Sequence, residues 1–130
     1  MEQPPVITPP EVVKLMDEKS VPFVIVDVRD EDREIGWIRD SVSFPACDMT
    51  SRNLHDLMDG LVAAKVQLLV VHCMFSQTRG PKVAAAMMDV LGKKRLNAPQ
   101  VRVLQGGFKG FRASLGDTRP ELLQKKQRGG

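Results

Sequence analysis

The stretch from Val66 to Leu91 constrains this chain more than any other. An apolar run from Val66 to Val71, interrupted at Gln67, delivers His72-Cys73. Met74, Phe75, Ser76, Gln77 and Thr78 follow, and then Arg79-Gly80-Pro81 leads into Ala84-Ala85-Ala86-Met87-Met88 and on to Leu91. A short apolar run of this kind suits a strand buried on both faces of a parallel sheet. Proline is tolerated in the first turn of a helix, so the spacing predicts a helix from Pro81 to Leu91 with Gly92 as its C-terminal cap. The segment therefore reads as strand, loop, helix, with the cysteine at the carboxyl end of the strand. Ligands bind there in open α/β sheets.

The rest of the chain repeats that alternation. Thr8-Pro9-Pro10-Glu11 has the form of a capping box, and Val12, Leu15 and Met16 then share one helical face. Phe23 to Val26 reads as a second buried strand running into a polar loop, Asp27-Val28-Arg29-Asp30, and Val42-Ser43-Phe44 as a short strand stopped by Pro45. Leu54, Leu57, Met58, Leu61 and Val62 mark an amphipathic helix. Val101 to Leu104 reads as a strand, after which Gly106-Gly107 turns the chain into a short helix from Phe108 to Ala113. The pattern predicts a single α/β domain over residues 1–130, with a core of about 5–115 around a mainly parallel sheet. The segment 116–130, where Arg119, Lys125, Lys126 and Arg128 gather, is expected to fray as a basic tail.

The loop after Cys73 carries the chemistry. Five residues can curl so that successive backbone N–H groups face one anion, and the start of the next helix adds its positive dipole end. Arg79 supplies a planar fork for two oxygens of a phosphate-like group. Such a field favours thiolate over thiol in a cysteine, and Ser76 is placed to donate a hydrogen bond to the sulfur. A lone cysteine after an apolar strand is commonly a small buried hydrophobe. The preceding strand, Gly80-Pro81 and the following helix turn the balance toward a nucleophile, Cys73, with an oxyanion cradle of Met74, Phe75, Ser76, Gln77, Thr78 and Arg79. His72 alternates to the other face of its strand, so it is read as supporting the site and not as its base.

Composition sets the limits. The chain has 130 residues, 42% hydrophobic and 27% charged, as in an ordinary globular domain. No apolar run is long enough to span a membrane, and Met1-Glu2-Gln3-Pro4-Pro5 is unlike a targeting signal, so a cytoplasmic address is expected. A net charge of +3 without a basic stripe interleaved with aromatics gives nucleic-acid binding no support. Cys47 and Cys73 stand too far apart for a disulfide framework or a zinc spacing, and no bound metal or cofactor is expected.

His72-Cys73, five residues, then Arg79-Gly80-Pro81 resembles the active-site loop of the rhodanese-fold phosphatases of cell division and of the related arsenate reductases. Val26-Asp27-Val28-Arg29, Gly36-Trp37-Ile38-Arg39-Asp40-Ser41-Val42, Phe44-Pro45 and Val101 to Phe111 extend the resemblance over about residues 5–115. Size and the Phe75-Ser76 pair are most similar to the small eukaryotic arsenate and antimonate reductases, including the trypanosomatid ones. The resemblance implies a rhodanese-like fold and reduction of arsenate or antimonate, with glutathione as co-substrate and glutaredoxin as partner. The alternative it implies is a tyrosine or dual-specificity phosphatase acting through a phosphocysteine. Sulfurtransferases of the same fold have four residues in this loop, and non-catalytic modules would need neither Cys73 nor Arg79. The cell-cycle phosphatases carry acidic residues where Met74 and Thr78 stand, and a backup cysteine where Val28 stands. No evident resolving thiol therefore stands by Cys73, and Cys47, in a loop after Phe44-Pro45-Ala46 that could approach it, is read as mainly structural. Asp27 and Arg29 resemble positions that brace the sheet end, and Asp30-Glu31-Asp32 reads as a solvated charged loop.

Overall fold

A computed structural model describes residues 3–30, 35–75 and 78–125. In chain order the elements are β1 (Val6–Ile7), α1 (Pro9–Glu18), β2 (Phe23–Asp27), β3 (Trp37–Ile38), β4 (Val42–Ser43), α2 (Ser51–Ala63), β5 (Leu68–His72), α3 (Arg79–Lys93), β6 (Gln100–Leu104), α4 (Gly107–Leu115) and β7 (Leu123–Gln124). Single turns of 3-10 helix at Ala46–Asp48 and Pro120–Leu122 join them.

Five strands form one parallel sheet in the order β1-β6-β5-β2-β4. Because the inner strands are buried on both sides, their alternating side chains feed two cores. Val26, Leu69, Val71, Val101 and Val103 pack with α2 and α3. Ile25, Val70 and Leu104 pack with α1 and α4, where Phe108 and Phe111 are almost fully enclosed. Burying an aromatic side chain of that size contributes about 1.5–3 kcal/mol.

The expected capping box is present. The Glu11 amide donates to the Thr8 hydroxyl at 3.4 Å, and the Thr8 amide donates to the Glu11 carboxylate at 3.1 Å. α4 ends on Gly116 (φ 56°), whereas the other three long helices end without glycine. α3 runs through Gly92 to Lys93, and Arg95 takes the left-handed position (φ 55°), with the Leu96 amide donating to the Leu91 carbonyl and the Arg95 amide to that of Gly92. α2 closes in the same way on Lys65 (φ 59°), whereas α1 ends on Lys19 (φ 50°), whose own amide donates to the Leu15 carbonyl. A cation at a helix C-terminus interacts favourably with the macrodipole, which offsets part of the strain of a left-handed non-glycine residue.

The C-terminal segment corrects the expected fraying. Leu122 is 1% exposed, and β7 pairs antiparallel with β3, Trp37 opposite Gln124 and Ile38 opposite Leu123. The Arg119 guanidinium donates to both carboxylate oxygens of Asp17, at 3.0 and 2.7 Å, tying this segment to α1. Apolar residues at Leu122 and Leu123 outweigh the basic composition around them. Lys126 and Arg128 lie outside the described residues. Among those described, no helix is long and apolar enough to cross a membrane.

Candidate active site

The chain leaves β2 for β4 on one side, then returns to lay β5 and β6 on the other. The winding thus reverses between β2 and β5, the place where α/β sheets open a crevice at the strands' carboxyl ends. Both strands end together there: Asp27 is opposite His72, and the Val28 amide donates to the His72 carbonyl at 2.9 Å. Residues 27–30 and 72–75 consequently emerge side by side.

Cys73 is 3% exposed and lies against the first turn of α3. A Cβ built on Gly80 would sit 3.4 Å from the Cys73 nitrogen and 3.5 Å from its Sγ, ordinary van der Waals contact. Thr78 is the residue before that helix, and its side chain makes no capping hydrogen bond. Arg79 is the first helical residue, with its side chain 33% exposed.

The start of α4 fixes the other side of the loop. The Phe108 amide donates to the Cys73 carbonyl at 2.9 Å, and the Lys109 amide donates to the Met74 carbonyl at 3.0 Å. Two consecutive carbonyls are thereby turned onto a helix N-terminus, whose free amides are their natural partners. Gly107 makes the approach possible. Its φ is +61°, and a Cβ there would fall 2.6 Å from both the Cys73 and Met74 carbonyl oxygens. His72 is fully buried, with Nδ1 3.1 Å from the same Cys73 carbonyl. A carbonyl can only accept, so that bond requires the proton on Nδ1. His72 thus holds the backbone carbonyl of Cys73.

Beneath the loop Asp27 and Arg29 form a fully buried pair. The Arg29 Nη2 lies 2.7 Å from the Asp27 carboxylate and donates to the Gly36 carbonyl at 2.5 Å. Its guanidinium stacks 4.2 Å from the centroid of Phe108, the residue whose amide holds Cys73. The expected brace therefore reaches further than the sheet end, through Phe108 to the carbonyl of Cys73. Removing one partner of such a pair costs about 3–5 kcal/mol, because the other charge stays buried.

The remaining loop residues divide. The Met74 side chain is partly buried against the α1–α4 core, whereas Phe75 is 51% exposed with the Lys109 ammonium 5.4 Å above its ring. Ser76 and Gln77 lie outside the described residues, as do Glu31 and Asp32. Among described residues no cluster of three His, Cys, Asp or Glu side chains could hold a metal.

Asp30 corrects the reading of a merely solvated loop. Its Oδ2 lies 3.6 Å from Arg79 Nη1, and its Oδ1 accepts from the Cys47 amide at 3.1 Å. Charge density along the sequence could not reveal this, because the pairing depends on β2 and β5 ending side by side. The Asp30 carboxylate also acts on the exposed Cys47 thiol, pushing it up to about 11, with desolvation and the Asp48 charge adding to the effect. Cys47 therefore stays a protonated thiol at neutral pH, a poor nucleophile for resolving an adduct.

Residues 8–114 match the model of the rhodanese-like domain. The As-Sb reductase of Leishmania major superposes with a TM-score of 0.91 at 34% identity, over 96% of this chain and 88% of that one. The dual specificity phosphatase ibp1 of Schizosaccharomyces pombe is 34% identical over 108 residues, 71% of this chain and 76% of the relative. Arsenical-resistance protein 2 of Saccharomyces cerevisiae is 29% identical over 108 residues, 78% of this chain and 83% of the relative.

Proposed function

This chain belongs to the rhodanese-like family, and on that premise we propose that it is a thiol-dependent reductase of arsenate in which Cys73 is the nucleophile. One observation carries the reading. Cys73 stands at the winding reversal of the sheet, with its own carbonyl and that of Met74 turned onto α4 and its sulfur beside the first turn of α3. Peptide planes held with carbonyls outward present their amides inward, and Arg79 adds a fork for two oxygens.

The Cys73 thiolate attacks the arsenic of the dihydrogen arsenate monoanion. A sulfur–arsenic bond forms, an arsenic–oxygen bond breaks, and the hydroxide takes a proton and leaves as water; arsenic remains pentavalent. Glutathione's thiol then attacks the Cys73 sulfur, the bonding pair departs with arsenic as arsenite, and the glutathione proton passes to the arsenite. The mixed disulfide left on Cys73 is cleared by the thiolate of glutaredoxin, which carries the glutathionyl group away. Arg79 and the amides of Met74 and Phe75 hold the oxygens throughout. Pentavalent antimony fits the same scheme. A reducing cytoplasm would keep Cys73 as a thiol and supply the glutathione.

The fission-yeast relative favours a second reading, phosphatase action, which shares the first step: Cys73 takes a phosphoryl group and water then hydrolyses the phosphocysteine. The deciding experiment follows arsenate-dependent NADPH consumption with glutathione, glutaredoxin and glutathione reductase, in wild type and Cys73→Ser. Consumption lost in Cys73→Ser, while arsenate binding remains measurable, is the expected result. No consumption by folded, reduced wild-type protein would overturn the reductase reading in favour of the phosphatase.

A further inference from the structure

We propose that Asp30, held by the Cys47 amide and set against Arg79, selects the ionisation state of the oxyanion, admitting monoanions over dianions. The inference rests on the reading of Cys73–Arg79 as an oxyanion site.

Asp30 is anchored from both ends. The preceding residue, Arg29, is fully buried in its pair with Asp27, and the Asp30 Oδ1 accepts from the Cys47 amide at 3.1 Å. The other oxygen, Oδ2, lies 3.6 Å from Arg79 Nη1. That separation is a charge pairing, longer than a hydrogen bond, so Asp30 faces Arg79 as a fixed opposite charge. The side chains of Arg79 and Asp30 are 33% and 35% exposed, where water screens charge incompletely. An oxyanion on Arg79 would thus be bound one guanidinium away from a fixed negative charge.

Two consequences follow. Each negative charge on the ligand is opposed by Asp30, so a dianion loses more than a monoanion; at the effective dielectric of a partly exposed site the difference is on the order of severalfold. The monoanion of a tetrahedral oxyacid also carries the additional protonated oxygen. A protonated oxygen is what must leave as water when Cys73 attacks. A carboxylate in this position therefore favours the species ready to react over the one more strongly attracted to Arg79.

The test measures protection of Cys73 from iodoacetamide in a Cys47→Ser background, where Cys73 is the remaining thiol. Inorganic sulfate, a dianion throughout, and inorganic phosphate are titrated below and above the second ionisation of phosphate, with Asp30, Asp30→Asn or Asp30→Glu. In Asp30→Asn, sulfate should protect about fivefold more tightly at both pH values. Phosphate should gain about fivefold at the higher pH and about twofold at the lower. Asp30→Glu, which keeps the charge, should restore the wild-type discrimination. Equal or weaker protection by both anions in Asp30→Asn would overturn the inference and leave Asp30 merely orienting Arg79. Protection by neither anion in any variant would refute the oxyanion site itself, and the inference with it.

Discussion

The two cysteines differ through what surrounds them, and Asp30 is the residue that separates their fates. Cys47 is exposed yet held as a thiol, because the carboxylate it faces opposes a second negative charge and keeps its pKa near 11. Cys73 is buried, but at the carboxyl end of a strand and against the first turn of a helix. At pH 8, iodoacetamide should modify Cys47 more slowly than a cysteine in an unstructured peptide, its rate climbing about tenfold per pH unit until pH approaches 11. Asp30→Asn should bring it nearer the ordinary rate. Peptide-mapped alkylation over a pH series is the measurement, and a Cys47 rate that levels off near pH 9 would contradict the assignment. Cys47→Ser should leave turnover largely intact; a large loss would make it a resolving thiol.

At the scale of elements, α4 supports the loop that carries Cys73. Its first amides hold the carbonyls of Cys73 and Met74, and Arg29 stacks on Phe108 from below. Everything depends on the missing side chain at Gly107. Gly107→Ala should destabilise the protein by about 2–4 kcal/mol, since it combines a left-handed φ with a clash against backbone that cannot move away. It should also weaken phosphate binding in the protein that remains folded, because the loop must retreat. Gly92→Ala is the contrast, since nothing lies within 4 Å of its Cβ and φ is helical; stability should rise by about 0.5–1 kcal/mol. Denaturant melts of both variants, with phosphate binding by calorimetry, test the pair. Unchanged phosphate binding in Gly107→Ala would remove α4 from the account of the site.

Across the whole molecule, the C-terminal segment closes the fold. Leu122 is buried among the residues around α1 and α4, and Arg119 bonds Asp17 on α1. Leu122→Ala should cost about 2–5 kcal/mol in chemical denaturation. A loss under 1 kcal/mol would mean that the segment is no part of the core. Hydrogen bonds from Arg119 hold both the Asp17 and Glu121 carboxyls below their ordinary values. Carboxyls depressed in the folded state contribute stability that is present above their unfolded values, near 3.8 and 4.5, and is lost as pH falls through the folded ones. Acid should therefore loosen this segment, and Arg119→Ala should flatten stability against pH below about pH 4.5. Both carboxyls are exposed, so the effect should be small and sensitive to salt.

Local sequence determined the longer elements and set Cys73 to Arg79 between a strand and a helix. Apolar runs of strand length, the Thr8–Glu11 capping box and Gly80-Pro81 before an alanine-rich helix depend on neighbours a few residues apart, so their physics can be read in order. The length of the loop between Cys73 and Arg79 belongs to the same class. Tertiary structure decided what pairs across long separations. Asp30 meets Arg79 because the sheet's winding reverses between β2 and β5, and Gly107 reaches Cys73 because β6 carries α4 back over the loop. Leu122 is core because Leu123 found Ile38 as a partner in an antiparallel pair that composition could not announce. Helix ends fall between these cases: Gly92 was expected to cap α3, yet Arg95 takes the left-handed position, as Lys19 and Lys65 do after α1 and α2, because the hydrogen bonds and charges of the helix terminus outweighed an intrinsic preference.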